Sequence, residues 1–385
     1  MFLGRDAMIQ QIVNMIYDKN STQMNYGRGL TIYGQTRTGK SSLMYHLRRN
    51  IEKRYGDSVL ICDMGNIGEI ELDDPQDSYL AGFLFTLLDN CETNIRNNPK
   101  IKHVFRRPSP KDEILENPER AQVLFRSYMS ELDNALHQLN MIIVLFIDEF
   151  TYLHGQIKAG KLSIGFMRFW KAMLENYGIF AIIAGQDDMP EFKQEYPNEF
   201  ACMELIKITY LDEESAKCLI RDSLERKNNR KDIFRPEALD ELYKLTAGSA
   251  YLSMILCSHL VSYMNRRGVK IVTSGIVHDF LEKDAFGHNS FLEEQYFEPQ
   301  IRERGHDELT DANYDILLSI ARLSQRTGSA ALSDIKSNLP QYPAKDIEDN
   351  VSRLTDRSVL RKVGGNNYKI DVDLFAKWLI STEGA

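Results

Sequence analysis

The sequence has few cysteines, no long hydrophobic run and no excess of positive charge. Its five cysteines are far apart, form no CxxC pair and are odd in number, which argues against a disulfide framework and a zinc site. The longest uninterrupted apolar runs are Met141–Ile147 and Ile179–Ala184, of seven and six residues. A membrane helix needs about 20 apolar residues, so no membrane span and no membrane partner are expected.

The charge and composition exclude further classes of protein. Lysine and arginine number 47 and aspartate and glutamate 55 among 385 residues, which gives a formal net charge of −8. A generic nucleic-acid coat needs clustered positive charge, so this class is not expected. Hydrophobic residues make up 43% of the chain, which excludes a wholly disordered protein. The N-terminus shows no basic region before an apolar core, so we expect a cytoplasmic protein.

Short apolar strands alternate with helical segments in the first half of the chain. The pattern predicts strands at Leu30–Tyr33, Ser58–Met64, Met141–Ile147 and Ile179–Ala184, with helices between them, and a short strand-like segment at Leu205–Ile208 that closes the sheet region. Strands that are apolar throughout are typical of a parallel sheet covered on both faces. We therefore predict an α/β fold with a parallel sheet for residues 1–208. Within it, residues 97–118 have little periodicity and are predicted to be an insertion or mobile loop.

The pattern changes after about residue 208. Residues 209–300 read as helices only, which predicts a separate helical domain. Residues 309–385 read as three helices followed by two short strands around a Gly-Gly-Asn-Asn turn, which is a hairpin signal. Three helices and a β-wing form a winged-helix arrangement. Together with the chain length, these changes of pattern predict two or three domains.

The strongest motif follows the first predicted strand. It fits GxxxxGK[ST] at every fixed position and comprises Gly34, Gln35, Thr36, Arg37, Thr38, Gly39, Lys40 and Ser41. Such a loop presents backbone N–H groups and the positive end of a helix to phosphate oxygens. Lys40 is predicted to reach the β- and γ-phosphates of ATP, and the Ser41 hydroxyl is predicted to bind Mg²⁺.

Two acids follow the apolar strand that ends near Ile147. Asp148 and Glu149 come at the carboxyl end of this strand, where α/β sheets bind their ligands. Asp148 is predicted to bind Mg²⁺, as the acid at this position does in P-loop NTPases. Glu149 is predicted to orient and polarise the water that attacks the γ-phosphate.

A polar residue also follows the next strand. Gln186 comes directly after Gly185, and in NTPases with a strand between the two motifs a polar residue here senses the γ-phosphate. We therefore expect Gln186 to act in catalysis. The alternative is that it caps the helix that begins near Asp188.

These segments together resemble a known family. The box Phe2-Leu3-Gly4-Arg5, the loop YGQTRTGKSSL and the strands VLFIDEF and IIAGQDDM resemble the STAND-type branch of the AAA+ superfamily. The likeness is greatest to its prokaryotic and archaeal ATPases, which have an FxGR box, a GxRRxGKSSL loop, a helical lid and a winged helix. Residues 245–252, LTAGSAYL, are similar to the lid box of that family.

The resemblance implies further site residues and a mode of action. Leu3, Gly4 and Arg5 would lie against the adenine side of the nucleotide, Ser42 would belong to the phosphate loop, and Tyr251 of the lid would contact the nucleotide. ADP would keep the protein closed, whereas ATP would open it and drive oligomerisation, with slow hydrolysis. Such proteins act with effector or sensor partners, often in bacterial regulation or antiviral defence.

Two alternatives remain open at this point. The first is a DNA-directed AAA+ ATPase, an initiator, loader or regulator whose winged helix binds DNA. Asp346, Glu348 and Asp349 in the third helix disfavour it, and residues 309–385 contain ten basic and ten acidic residues. The second is a nucleotide-binding scaffold that hardly hydrolyses, which the intact pair Asp148 and Glu149 disfavours.

Overall fold

The computed structural model describes residues 4–18, 23–24, 28–70, 76–228, 233–285, 292, 296–302 and 310–381. The chain forms two compact units, which contain residues 4–208 and 209–385. The three-domain scheme, with boundaries near 209 and 309, stays a prediction. Among the helices that the structure describes, none combines the length and apolarity that crossing a bilayer would need.

The first unit is built on a five-stranded parallel sheet, which confirms the predicted α/β fold. Its strands are β3 (Arg28–Tyr33), β4 (Val59–Asn66), β5 (Ile142–Asp148), β6 (Ile179–Gly185) and β7 (Met203–Lys207). Their order across the sheet is β4-β5-β6-β3-β7, so β3 lies between β6 and β7. Two short antiparallel strands, β1 (Tyr17–Asp18) and β2 (Gln23–Met24), precede the sheet in sequence.

Nine helices and two 3₁₀ turns are described in this unit. The helices are α1 (Asp6–Met15), α2 (Lys40–Tyr55), α3 (Gln76–Asn97), α4 (Pro99–Val104), α5 (Lys111–Glu116), α6 (Ala121–Gln138), α7 (Tyr152–Lys158), α8 (Gly165–Asn176) and α9 (Met189–Glu195). The 3₁₀ turns are Ile67–Glu69 and Pro118–Arg120.

The period of two along each strand divides the core into two layers. On β5, Val144 and Phe146 pack in one cluster with α1 and α2, whereas Leu145 and Ile147 pack in the other with α3, α6 and α8. Side chains alternate between the faces of a strand, and here both faces are covered by helices. This explains why these strands are apolar at almost every position.

The prediction of a loop over residues 97–118 is wrong. Two short helices, α4 and α5, lie there, and they bury Ile101, Phe105 and Ile114 in the core. Asn98 caps α4, since its side chain accepts from the backbone N–H groups of Lys100 and Ile101. Six-residue helices bury too few apolar side chains to show a clear helical period, and the sequence reading therefore missed them.

The second unit is mainly helical. Its helices are α10 (Glu213–Asn228), α11 (Pro236–Thr246), α12 (Ala250–Arg267), α13 (Ser274–Phe280), α14 (Glu298–Ile301), α15 (Thr310–Thr327), α16 (Leu332–Asn338), α17 (Ala344–Asp356) and α18 (Asp373–Ser381), with a π-helical turn at Leu281–Ala285. The strands β8 (Ala330–Ala331), β9 (Leu360–Gly364) and β10 (Asn367–Ile370) form an antiparallel sheet in the order β8-β10-β9.

In the described part of the second unit, one hydrophobic cluster contains buried residues from Ile220 to Leu379. Its centre includes the stacked rings of Phe297, Phe375 and Trp378, whose centroids lie 4.8–6.0 Å apart. The predicted β-hairpin is present as β9 and β10, whereas β8 and α18 had not been predicted. Aromatic rings from separate segments therefore hold this unit together.

Candidate functional site

The GxxxxGK[ST] loop joins the end of β3 to the start of α2. Lys40 is the first residue of α2, and Gly39 precedes it with a φ of 92°, a left-handed conformation that favours glycine. At the other end of the loop, a Cβ on Gly34 would lie 2.4 Å from the backbone oxygen of Ile208. The N–H of the same residue, Ile208, donates to the backbone oxygen of Tyr33 at 2.7 Å. The two glycines therefore permit the turn that the motif requires.

The side chain of Lys40 lies inside this loop. Its Nζ donates to the backbone oxygens of Gly34 and Gln35, at 2.8 and 2.9 Å, and the residue is buried. The Thr38 hydroxyl also donates to the Gln35 oxygen, at 2.8 Å. The loop is thus folded around a positive charge, which is the arrangement that the binding of phosphate oxygens needs.

Arg5 reaches the same loop from the start of α1. Its Nη2 donates to the backbone oxygen of Thr38 at 2.7 Å, and burial lowers the pKa of the guanidinium. Arg5 occupies the N-cap position of α1 without capping it through its side chain. The preceding Gly4 is exposed, with a φ of 75°, and Leu3 lies outside the described residues. Arg5 of the opening box therefore contacts the phosphate loop directly.

Asp148 and Ser41 are hydrogen-bonded to each other although 107 positions separate them. The Ser41 Oγ donates to Asp148 Oδ2 at 2.7 Å. The other carboxylate oxygen, Oδ1, accepts from the backbone N–H of Glu149 at 2.9 Å. Hydroxyl and carboxylate oxygens are the ligands that Mg²⁺ prefers, so this pair fits a magnesium site.

Glu149 and Gln186 also meet at the carboxyl edge of the sheet. The Gln186 Nε2 donates to Glu149 Oε2 at 2.7 Å, and Gln186 is only 6% exposed. Glu149 has a φ of 57°, which is uncommon for a residue other than glycine. The capping alternative for Gln186 is wrong, because Asp188 occupies the N-cap position of α9.

The remaining predicted residues lie around the loop or in the other unit. Thr36 and Ser42 are exposed, and Arg37 has a left-handed φ of 69°. Tyr251 belongs to the second unit, in the first turn of α12, which the Ser249 side chain caps by accepting from the N–H of Leu252. The roles of these residues in nucleotide binding stay predictions.

Thr151 is the residue that the sequence reading missed. It is buried, and its Oγ1 accepts from the backbone N–H of Gln186 at 3.2 Å. Nothing in the sequence marks it, because a threonine two positions after Glu149 belongs to no motif. The contact becomes visible only when β5 and β6 are placed side by side.

One group of possible metal ligands occurs in the part of the chain that the structure describes, beyond Asp148 and Ser41. It comprises His154, Glu191 and Glu195. Lys158 already contacts both carboxylates, at 2.6 and 3.2 Å, and His154 Nε2 lies 2.8 Å from Glu195. Burial raises the pKa of Glu195, but bonds from His154 and Lys158 outweigh it and lower that pKa. We interpret the group as an ion-pair network between α7 and α9.

Comparison with known proteins decides the family. Residues 2–254 match the profile of a family described as an ATPase domain predominantly from Archaea. The chain belongs to this family. The matched span contains the phosphate loop, Asp148 at the end of β5, Glu149 and Gln186, so the protein is a P-loop ATPase that binds ATP.

Solved structures show the same fold for this ATPase. The Walker-type ATPase PABY2304 of Pyrococcus abyssi is 16% identical, with a TM-score of 0.62 over 98% of this chain and 96% of that chain. The Aeropyrum pernix ORC2 protein is 11% identical, with a TM-score of 0.58 over 99% of this chain and 95% of that chain. No curated protein sequence matches significantly. At these identities the likeness concerns the fold alone.

Proposed function

We propose that this ATPase is a STAND-like molecular switch. In this proposal it binds ATP with Mg²⁺, hydrolyses it slowly to ADP, and couples the bound nucleotide to oligomerisation or to the control of effector and sensor partners. Bacterial regulation or antiviral defence in the cytoplasm is the setting that fits such a switch. The two compact units supply the parts that nucleotide could move relative to each other.

The observation that carries the proposal is a chain of hydrogen bonds across three elements. Ser41 of α2 donates to Asp148 of β5, the Asp148 carboxylate accepts from the N–H of Glu149, and the Glu149 carboxylate accepts from Gln186 after β6. These bonds therefore connect the groups that would touch the metal, the attacking water and the γ-phosphate. Such a connection supports hydrolysis and not binding alone.

The metal would be held by Ser41 and Asp148. Their oxygens are adjacent and of the type that Mg²⁺ prefers. When bound, Mg²⁺ supplies neutralisation of charge on the phosphate oxygens. The protein's part is to place these two oxygens, which the start of α2 and the end of β5 do.

The other predicted site residues have complementary roles. Lys40 would exchange its bonds to loop carbonyls for bonds to the β- and γ-phosphates. Glu149 would accept a proton from the attacking water, and Gln186 would contact the γ-phosphate. Leu3, Gly4 and Arg5 would lie at the adenine side, and Tyr251 of the lid would close over the nucleotide.

The hydrolytic part of this proposal is tested by measuring phosphate release from ATP with and without Mg²⁺. We expect slow release that needs Mg²⁺ and stops when the metal is chelated. If the protein binds ATP but releases no phosphate with or without Mg²⁺, it is a nucleotide-binding scaffold, and the proposed hydrolytic mechanism is overturned.

DNA binding by the C-terminal segment is disfavoured by the surface of α17. The side chains of Asp346, Glu348 and Asp349 are all exposed there, and the Lys336 ammonium is already paired with Glu348. A helix that reads DNA lies in the major groove between two phosphate backbones, whose negative charge these carboxylates would repel. The negative charge of α17 is therefore better suited to protein contacts.

We accordingly predict no specific binding of duplex DNA by the 385-residue chain. At physiological salt the dissociation constant should be no tighter than the non-specific range of about 10⁻⁴ to 10⁻⁶ M. Fluorescence anisotropy with labelled duplexes, in the presence of ADP and of ATP, measures this dissociation constant. Nanomolar, sequence-dependent binding that disappears on deletion of residues 309–385 would favour the DNA-directed alternative.

A further inference from the structure

We propose that Thr151 is a positioning residue for ATP hydrolysis, because it fixes Gln186 relative to Glu149. This inference rests on the proposed function, since it concerns the same hydrolytic site. Thr151 itself contacts no group that would react. It acts by holding together the two turns that carry Glu149 and Gln186.

Besides the bond between the Gln186 and Glu149 side chains, two hydrogen bonds to backbone groups tie these turns together. The N–H of Phe150 donates to the Ala184 oxygen at 2.7 Å, which continues the pairing of β5 with β6 beyond the strand end. One residue further along, the N–H of Gln186 donates to Thr151 Oγ1 at 3.2 Å. Of the two bonds, only the second depends on a side chain, so a substitution can remove it alone.

The Thr151 methyl group adds a steric restraint. A Cβ on Gly185 would lie 2.8 Å from Thr151 Cγ2, so the chain between Ala184 and Gln186 passes close beside this methyl. The hydroxyl and the methyl of one side chain therefore act on consecutive residues. The hydroxyl and the methyl group of Thr151 thus both restrain the backbone from which the Gln186 side chain extends.

Glu149 needs such support because its backbone is strained. A left-handed conformation in a residue other than glycine is unfavourable and persists only where its surroundings hold it. The Gln186 amide holds the Glu149 carboxylate at 2.7 Å, and Thr151 holds the backbone of Gln186. A displaced Gln186 would therefore also displace the carboxylate that activates water.

The helices that follow the two turns are joined as well. His154 of α7 contacts Glu195 of α9 at 2.8 Å and stacks on Phe192, with ring centroids 4.5 Å apart. Lys158 contacts Glu191 and Glu195. These contacts lie farther from the site than Thr151, and they keep α7 and α9 paired when the Thr151 hydroxyl is removed. A substitution at Thr151 should consequently act on the site without separating the helices.

The test compares Thr151→Val with Thr151→Ser. Valine keeps the shape and loses the acceptor, whereas serine keeps the acceptor and loses the methyl group. We expect Thr151→Val to lower kcat between about 10- and 100-fold, since small misplacements at a reacting centre have effects of this order. ATP affinity by calorimetry should change less than about twofold, and Thr151→Ser should recover most of the turnover.

A double variant separates positioning from general damage. Because Thr151 acts through Gln186, adding Thr151→Val to Gln186→Ala should lower kcat no further than Gln186→Ala does. Should Thr151→Val fail to fold, Thr151→Ala replaces it in the comparison with Thr151→Ser. Any one of three results would overturn this inference and leave the proposed function standing. The variant that lacks the hydroxyl could keep wild-type turnover, or it could lose as much turnover as Thr151→Ser. The losses of the two single variants could also multiply fully in the double variant. An absence of turnover in the wild type would instead overturn the proposed function.

Discussion

Lys40→Ala should weaken ATP binding at least about 100-fold. Lys40 supplies a positive charge held inside the phosphate loop, and charge-assisted hydrogen bonds contribute about 1.5–3 kcal/mol each. Losing two such bonds to phosphate oxygens corresponds to a factor of this size or more, at about 1.4 kcal/mol for each tenfold change. Isothermal titration calorimetry with ATP and Mg²⁺ measures the effect.

Lys53→Ala is the matched control for this substitution. Lys53 is exposed near the end of the same helix, α2. Its substitution by alanine therefore removes an equal charge at a position away from the loop. We expect its ATP affinity to stay within about twofold of the wild-type value, because exposed charges at a distance are screened by salt. If Lys40→Ala bound ATP as tightly as Lys53→Ala, the loop would not be the phosphate site.

Glu149→Gln should keep ATP bound but slow its hydrolysis about 10²- to 10⁴-fold, the range that general-base catalysis contributes. Glutamine has the same shape, and its side-chain oxygen can still accept from Gln186, so the site keeps its geometry. It cannot take the proton of the attacking water as a carboxylate does. Single-turnover phosphate release measures the chemical step, and calorimetry measures ATP binding.

Glu116→Gln provides the control for this second substitution. Glu116 is exposed at the end of α5. Its substitution by glutamine changes the charge by the same amount, but outside the site. Its phosphate release should match that of the wild type. A Glu149→Gln variant with wild-type release would remove Glu149 from the catalytic role and point to another base.

The sequence was sufficient to predict the sheet of the first unit, because each central strand is buried on both faces. Ile142–Asp148 is shifted by one residue at both ends from its predicted bounds, and Ile179–Gly185 extends its predicted bounds by one residue at the end. Helices were harder to predict where they are short. The seven-residue α7, like α4 and α5, has too few turns for a period to be recognised.

For the candidate site, the sequence predicted most of the residues that the structure brings together but not their contacts. Lys40, Asp148 and Glu149 stand in motifs whose chemistry requires those residue types. The bond from Arg5 to Thr38 and the bond from Gln186 to Thr151 join residues that are 33 and 35 positions apart. Such contacts depend on how helices and strands are arranged in space, which local patterns do not specify.

The proposed switch is tested most directly by the mass of the protein in each nucleotide state. Size-exclusion chromatography with light scattering gives that mass in ADP, in ATP and in a non-hydrolysable ATP analogue. We predict a monomer or small species in ADP and a larger assembly in the analogue, with Glu149→Gln assembling in ATP itself. One unchanged mass in all three nucleotides, for both proteins and with nucleotide binding confirmed, would contradict nucleotide-driven assembly.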